Sequence, residues 1–371
     1  MPTTPFFSVI IPTWNLESYI HRTLGSVLAQ VDADYELIVV DDGSTDNTVE
    51  CIQAMANLFR RFKLIESSAH TTRGCGRARN IGLNAAQGDY VLFIDGDDVV
   101  HPTQMRDLKN KLLEMNQPDV LAFDGERHET QQSSSVDTPD EVNVMRNQFL
   151  ENTMAETVIS GHDATLHFLN YKIRYCTPSK AYKRSFLNAH SIRYDETLSN
   201  FEDQLFNIQA FSKAQNVGIV PRHYYFYIKR NASNSSKTGL ENLKALKFTL
   251  DAVHKSVAPL TSRSTNPDTW QSALFNYSWL LVVSEKTLLS LNEQESSIQR
   301  HGIDLVMTLL ENPSCSTLQK GINMGILGML AELFIKTLSS NVQLQPNEVE
   351  LISSFLRRAK QHNQAINNQS G

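Results

Sequence analysis

Short apolar runs alternate with amphipathic stretches along the first hundred residues. Ser8-Val9-Ile10-Ile11 is an apolar run stopped by Pro12, the pattern of a buried strand. Leu16, Ile20, Leu24, Val27 and Leu28 then recur at helical spacing and mark one face of a helix. Glu36 to Val40 reads as a second strand, running into Asp41-Asp42-Gly43-Ser44. Ser44, Thr45 and Asp46 offer N-caps to a helix carrying Val49, Ile52, Met55 and Phe59. Lys63 to Ile65, Arg79 to Ala86 and Tyr90 to Ile94 read as strand, helix and strand. This alternation predicts an α/β domain with a mainly parallel central sheet and helices on both faces. Ligands of such sheets bind beyond the strand C-termini. Three polar motifs fall on that edge: Pro12 to Asn15, Asp41 to Ser44 and Asp95 to Asp98.

The pattern then loosens. From Gly125 to about Val144 the chain is polar and predicts a long flexible loop. Order returns at Ser179 to Arg184, and Glu202-Asp203 opens a helix with Leu205, Ile208 and Phe211 on its apolar face. Val217 to Val220 and Tyr224 to Ile228 predict two further strands. After Gly239 only helical patterning remains. Asn266-Pro267-Asp268 is a start signal, with Pro at the first turn. Ile303 to Leu310, Ile322 to Leu338 and Pro346 to Gln361 are patterned as helices too. The expected division is a catalytic domain at 1–237, with halves 1–110 and 111–237, and an all-helical C-terminal domain at 238–371.

Composition narrows the class without naming it. The 371 residues are 41% hydrophobic and 20% charged, as in an ordinary soluble globular protein. A formal charge of −6 without a long Lys/Arg run argues against a nucleic-acid binder. Cys51, Cys75, Cys176 and Cys315 lie far apart with no metal-type spacing, so they read as reduced thiols and favour a cytoplasmic address. Met1 to Pro5 lacks the progression of a signal peptide, and no apolar run reaches membrane-spanning length. Gly321 to Leu338 is strongly apolar, with only Glu332 and Lys336 charged. A bundle core is its simplest use, and peripheral contact with the inner membrane face or a homodimer seam are the others.

The densest chemistry is Asp95-Gly96-Asp97-Asp98 at the end of an apolar strand. Carboxylates crowded in this way repel one another unless a cation lies between them, and oxygen ligands suit Mg²⁺ or Mn²⁺. A polar turn after a buried strand is the plainer alternative. The same letters, Asp95-Gly96-Asp97-Asp98-Val99, also fit the DxDx[VT] signature of haloacid-dehalogenase-type phosphatases, which normally lies on the first strand of that fold.

Taken in order, Ser8 to Asn15, Ile38 to Asp46, Ala78-Arg79-Asn80-Ile81-Gly82, Gly88-Asp89-Tyr90 and Phe93 to Asp98 resemble family 2 glycosyltransferases, the inverting group with the GT-A fold. The resemblance covers about the first hundred residues closely and thins to scattered anchors up to about residue 237. Trp14 departs from it, since Tyr is commoner there. The resemblance implies that Pro12 and Thr13 wall the base and that Asp42 accepts the uracil imide N–H. It further implies that Arg79 lies near the nucleotide, that Asp95 approaches the ribose, that Asn15 and Gly96 belong to the nucleotide site, and that Asp97 ligates the metal. Asp98 either supports that metal or anchors the following turn. Asp203 is then the candidate base, with Glu202 orienting acceptor or base; a dipole-favoured helix start is the alternative for this pair. Tyr225, Tyr227 and Arg230 resemble a segment that reaches the diphosphate in some relatives. The activity implied is metal-dependent, inverting transfer from a nucleotide sugar, a UDP-sugar in particular, to a glycan or glycolipid acceptor in bacterial surface polysaccharide synthesis. A non-catalytic nucleotide-sugar-binding scaffold of the same fold is the alternative.

Overall fold

The first apolar run becomes strand β1 (Phe7–Thr13), buried along its whole length. It lies at the centre of four parallel strands, between β2 (Tyr35–Asp41) and β4 (Tyr90–Phe93), with β3 (Phe62–Glu66) outside β2. These details are those of a computed structural model, which describes residues 4–67, 74–130, 142–143, 154–229, 240–262, 264–282, 345–347, 349–350 and 353. Strands buried on both faces read as continuous apolar runs, which is why β1 and β2 carry little polar alternation.

Alternate residues of these strands serve two helical layers. Val9, Ile11, Leu37, Val39 and Leu92 share one core with α1 (Ile20–Leu28), α2 (Thr48–Ala56) and α4 (Gln104–Glu114). On the other face Ile10 meets α3 (Cys75–Ala85) so closely that a Cβ on Gly82 would stand 2.3 Å from Ile10 Cγ2. Phe93, also on that face, packs edge-on against Phe206 of α7 (Glu202–Lys213).

Beyond β4 the sheet becomes mixed. β9 (Lys180–Lys183) runs antiparallel between β4 and β6 (Val120–Thr130). β10 (Asn216–Lys229) is parallel to β6 and antiparallel to the short β5 (Val99–Val100) and β8 (Thr157–Ser160). β7 (Val142–Asn143) pairs with β6, and α5 (Gly161–Leu169) and α6 (Arg184–Ala189) complete this half. The strand order is β3-β2-β1-β4-β9-β6-β10-β5. The fold class is as expected, with a parallel half joined to a mixed half.

Four local expectations need correction. Residues 125–130, expected in a loop, continue β6, where 125–129 pair with β10 and Glu126 lies 2.5 Å from His223. The two strands expected at 217–220 and 224–228 are one strand, β10, with register irregularities near His223. Helix α3 starts at Cys75 rather than Arg79, its glycine-rich beginning having the look of a loop. Leu28, expected on the buried face of α1, is exposed in its last turn.

The chain divides into two compact units, Met1–Ser233 and Asn234–Gly371. Within the second, α8 (Leu240–Thr261) and α9 (Pro267–Val282) bury Leu246, Val253, Val257, Trp270 and Tyr277. His254 Nε2 and Ser278 Oγ lie 3.1 Å apart between them. The start signal at Asn266-Pro267 is where α9 begins. The segments expected as helices at 303–310 and 322–338, with Cys315, lie outside the described residues, as do most of 346–361. No described helix is long and apolar enough to cross a membrane.

Candidate active site

The motifs at the C-terminal ends of β1 and β2 are joined by hydrogen bonds, and the turn after β4 packs against the first of them. Asp42 N donates to Thr13 O (2.9 Å), and Thr13 Oγ1 donates to Val40 O (3.2 Å). Asn15, at φ 51°, receives Thr45 N on its side-chain oxygen at 2.8 Å and donates its own N–H to Ser44 Oγ at 2.9 Å. Asp41 closes its own turn by accepting from Gly43 N and Ser44 N. Gly96 fits beneath Pro12 and Thr13: a Cβ there would stand 2.6 Å from Leu16 Cδ1 and 3.1 Å from Pro12 O. Pro12, Thr13, Asn15, Asp42, Asp95, Gly96 and Asp97 therefore surround one edge.

Asp42 is held by two donors. Gly74 N reaches its Oδ2 at 2.8 Å and Arg77 Nη1 its Oδ1 at 2.7 Å, while Arg77 also donates to Ser67 Oγ. Arg77 was not foreseen. Its signal is an arginine in the first turn of a helix, where the dipole disfavours a cation unless carboxylates face it.

Arg79, in the second turn of α3, has the larger set of carboxylate partners. Its side chain is 3% exposed. Nη2 pairs with Asp95 Oδ1 at 2.7 Å, Nη1 with Asp203 Oδ1 at 2.8 Å, and Glu202 Oε1 lies 3.7 Å away. The guanidinium also lies over the Tyr194 ring, 5.2 Å from its centroid. Burial opposes its charge, but the carboxylates of Asp203 and Asp95, with other neighbours, hold it protonated more firmly than usual. Glu202 and Asp203 thus face Asp95 across one buried cation.

Asp203 is fixed from the other side too. Thr177 N donates to its Oδ2 at 3.2 Å, from the 3-10 turn Thr177–Ser179. Fully buried Lys180 shapes that turn, its Nζ donating to Arg174 O (2.9 Å), Cys176 O (2.6 Å) and Ser179 Oγ (3.1 Å). Asn207 Nδ2, one helical turn after Asp203, donates to Tyr175 O and Asp203 O, both at 2.7 Å. Burial, then the Asp203 charge, pushes Glu202 up to about 7.

Asp98, for which two uses were open, is an anchor. It is wholly buried, accepting from Tyr225 OH and from Ile228 N (2.8 Å). The same tyrosine oxygen receives Asp95 N at 3.2 Å, so β10 clasps the acidic turn. Tyr225, read from sequence as part of a diphosphate-reaching segment, is this internal clasp. Arg230 lies outside the described residues. On the far side Arg22 Nη2 donates to Asp97 O at 3.2 Å, and Thr23 Oγ1 to the carbonyls of Gly96 and Asp98.

The acids here suit a divalent cation. Burial and then repulsion from Asp97 and Asp95 push Asp98 well above the usual carboxylate range; Asp95 is also raised, by burial against the opposing pull of Arg79. Among the described residues no three or more His, Cys, Asp or Glu side chains converge as a closed metal cage. An open site of this kind fits an ion held by one or two carboxylates and completed by phosphate oxygens. The phosphatase alternative does not fit, because the acidic turn follows the fourth strand rather than the first. Cys51, Cys75 and Cys176 are free thiols.

Comparison with known proteins agrees with this geometry. The sequence matches the family described as "Glycosyl transferase family 2" over residues 8–189. It is 30% identical over 235 residues to the poly(ribitol-phosphate) β-N-acetylglucosaminyltransferase TarS of Staphylococcus aureus, covering 62% of this chain and 37% of that protein. It is 29% identical over 223 residues to the uncharacterised glycosyltransferase EpsJ of Bacillus subtilis, covering 60% of this chain and 61% of that one. The chain thus spans just over a third of TarS and about three fifths of EpsJ. The crystal structure of S. aureus TarS 1–349 in complex with UDP-GlcNAc superposes with a TM-score of 0.65 at 20% identity, over 97% of this chain and 92% of that one. The fold is therefore GT-A.

Proposed function

Residues 8–189 of this chain belong to glycosyl transferase family 2, and from that premise we infer that it transfers a sugar from a UDP-sugar to a hydroxyl of a bacterial surface glycan, with inversion at the anomeric carbon. The observation that carries the reading is the meeting of Asp42, the Asp95–Asp97 turn and the Glu202–Asp203 pair at one sheet edge, with Asp95 and Asp203 sharing Arg79. The names of the relatives favour a teichoic-acid-type polymer as acceptor and N-acetylglucosamine as a donor sugar to test first.

In this reading Pro12, Thr13 and Asn15 bound the base, and Asp42 accepts the uracil imide N–H, which cytosine lacks. Asp95 and Gly96 face the ribose. Asp97 would hold Mg²⁺ or Mn²⁺, which when bound stabilises the charge developing on the diphosphate. Asp203 accepts the proton of the acceptor hydroxyl as its oxygen bonds to the anomeric carbon; the carbon–oxygen bond to the diphosphate breaks and UDP leaves. Two of the roughly four lone-pair positions of Asp203 are engaged by Arg79 and Thr177, which leaves room for that proton. An address in the cytoplasm, where nucleotide sugars are made, accords with this role.

The reading is tested by titrating a panel of nucleotide sugars with Mn²⁺ and with chelator, followed by transfer to ribitol-phosphate polymer. Metal-dependent selection of one UDP-sugar and its transfer are expected, and the metal effect should vanish in Asp97→Ala. A chain that binds no nucleotide sugar would overturn the reading, and one that binds a nucleotide sugar without ever transferring it would be the scaffold instead.

A further inference from the structure

Arg79 came from the sequence as a residue near the nucleotide, yet the geometry gives it another task. Its side chain is 3% exposed, and its two terminal nitrogens already lie on carboxylates from opposite halves of the domain. Asp95 ends the β4 motif that faces the donor, and Asp203 starts the helix that carries the proposed base. Each of those nitrogens already has a carboxylate within 2.8 Å, so a diphosphate oxygen would have to compete with an acid for the buried guanidinium. The remaining nitrogen, Nε, is buried and has no hydrogen-bond partner among the described residues.

We propose that Arg79 is a positioning residue for transfer: its planar fork fixes the proton acceptor Asp203 relative to the donor-side Asp95, and it does not hold the donor itself. The inference rests on the reading of Asp203 as base. Arginine suits the task because two parallel-sided nitrogens can grip two separate carboxylates in one plane, whereas a lysine nitrogen is a single point. The aromatic support beneath it is firm. Tyr194, under the guanidinium, stacks on Phe206 of α7 with ring centroids 4.1 Å apart and planes 5° from parallel. Thr177 N holds the second oxygen of Asp203, so the carboxylate is constrained in rotation as well as in position. Displacement of an attacking group by about 1 Å can cost about a hundredfold in rate.

The test is a double-mutant cycle on the full chain: wild type, Arg79→Lys, Asp203→Asn and the double variant. It is read as kcat, donor KM and calorimetric UDP affinity, with cooperative thermal melting as the check of folding. Arg79→Lys should lower kcat about a hundredfold while UDP affinity stays within about threefold. Added to Asp203→Asn it should lower kcat no further, because the group it positions is gone. Arg79→Gln, neutral and of similar length, serves as the second variant and should show the same split. A fall in UDP affinity in step with kcat would make Arg79 a donor ligand and overturn the proposal. Multiplying effects in the double variant would reduce it to a structural residue. Full turnover by Asp203→Asn, with wild type active, would remove the base assignment and the inference together. A wild type without transfer would strike the function reading itself.

Discussion

Arg79 Nη1 and Asp203 Oδ1 meet at 2.8 Å across 124 residues of sequence, joining the second turn of α3 to the first turn of α7. A desolvated pair of this kind is costly to break from one side, since the remaining charge stays buried without its partner. The same atoms set the geometry of the proposed proton transfer, so stability and chemistry are linked at this contact.

Asp203→Asn separates the two. The amide keeps the shape and its single oxygen can still accept from Arg79, at the loss of the Thr177 N contact on the other side, so folding should be retained and UDP affinity unchanged. Without a carboxylate to take the acceptor proton, transfer should fall by about 10²- to 10⁴-fold. Normal turnover would place the base elsewhere.

Most of the parallel half was legible because its inner strands β1 and β4 are buried along their whole length and each motif follows a strand end. Asp42 and Asp95 follow the ends of β2 and β4, and Asp203 meets Asp95 at Arg79. What the sequence concealed was partnership. Neither Arg77 nor Arg79 announces which carboxylate it pairs with, because the partners come from other elements: Asp42 from the end of β2, Asp203 from α7. Asp98 was undecided for the same reason, its fate depending on Tyr225 in a strand 127 residues away. Residues 125–130 were misread because a polar run looks like a loop until its strand partner, β10, is brought beside it from far along the chain.

Lys180 reaches the site only through the backbone. Burial lowers its ammonium to about 8, so at neutral pH it remains a three-donor cation. Lys180→Met would leave the carbonyls of Arg174 and Cys176 without that donor, at a cost of about 1–3 kcal/mol of stability per unsatisfied group. The turn bearing Thr177 would loosen, and kcat should drop about tenfold or more while UDP binding persists, since Asp203 rather than the donor site loses its support. Chemical denaturation and donor titration on the same preparation check both; unchanged kcat in a destabilised protein would confine Lys180 to folding.

Base choice should depend on Asp42 and its clamp. Asp42→Asn removes a charged acceptor worth about 1.5–3 kcal/mol when it meets a donor, so UDP affinity should fall by about 10- to 100-fold. An amide can donate to the ring nitrogen of cytosine, so the preference for UDP over CDP should shrink by more than the loss in UDP affinity alone implies. Arg77→Ala, which frees Oδ1 of Asp42, should move both quantities in the same direction and by less. Competition titrations with UDP and CDP decide it; an intact preference in Asp42→Asn would take the uracil contact away from this residue.

Glu202 predicts an unusual pH dependence of stability. Its ordinary value is 4.5, and burial, reinforced by the Asp203 charge and opposed by Arg79, holds it at about 7 in the folded chain. Between those values the folded state keeps a proton that the unfolded state has released. Its contribution to stability is therefore greatest below about 4.5, falls as pH rises through the window, and levels off above about 7. Over the whole interval the loss amounts to on the order of 3 kcal/mol. Glu202→Gln retains a neutral, similarly shaped side chain at every pH, so it should match wild type near pH 5 and become the more stable protein by pH 8. Urea unfolding of both chains in chelator at the two pH values makes the comparison with other titrating groups held in common. Parallel curves would mean that Glu202 is ionised in the folded protein throughout. A difference that opens toward alkaline pH would show that the fold carries this carboxyl at a thermodynamic cost, as expected where a site keeps a poorly solvated acid for a purpose other than stability.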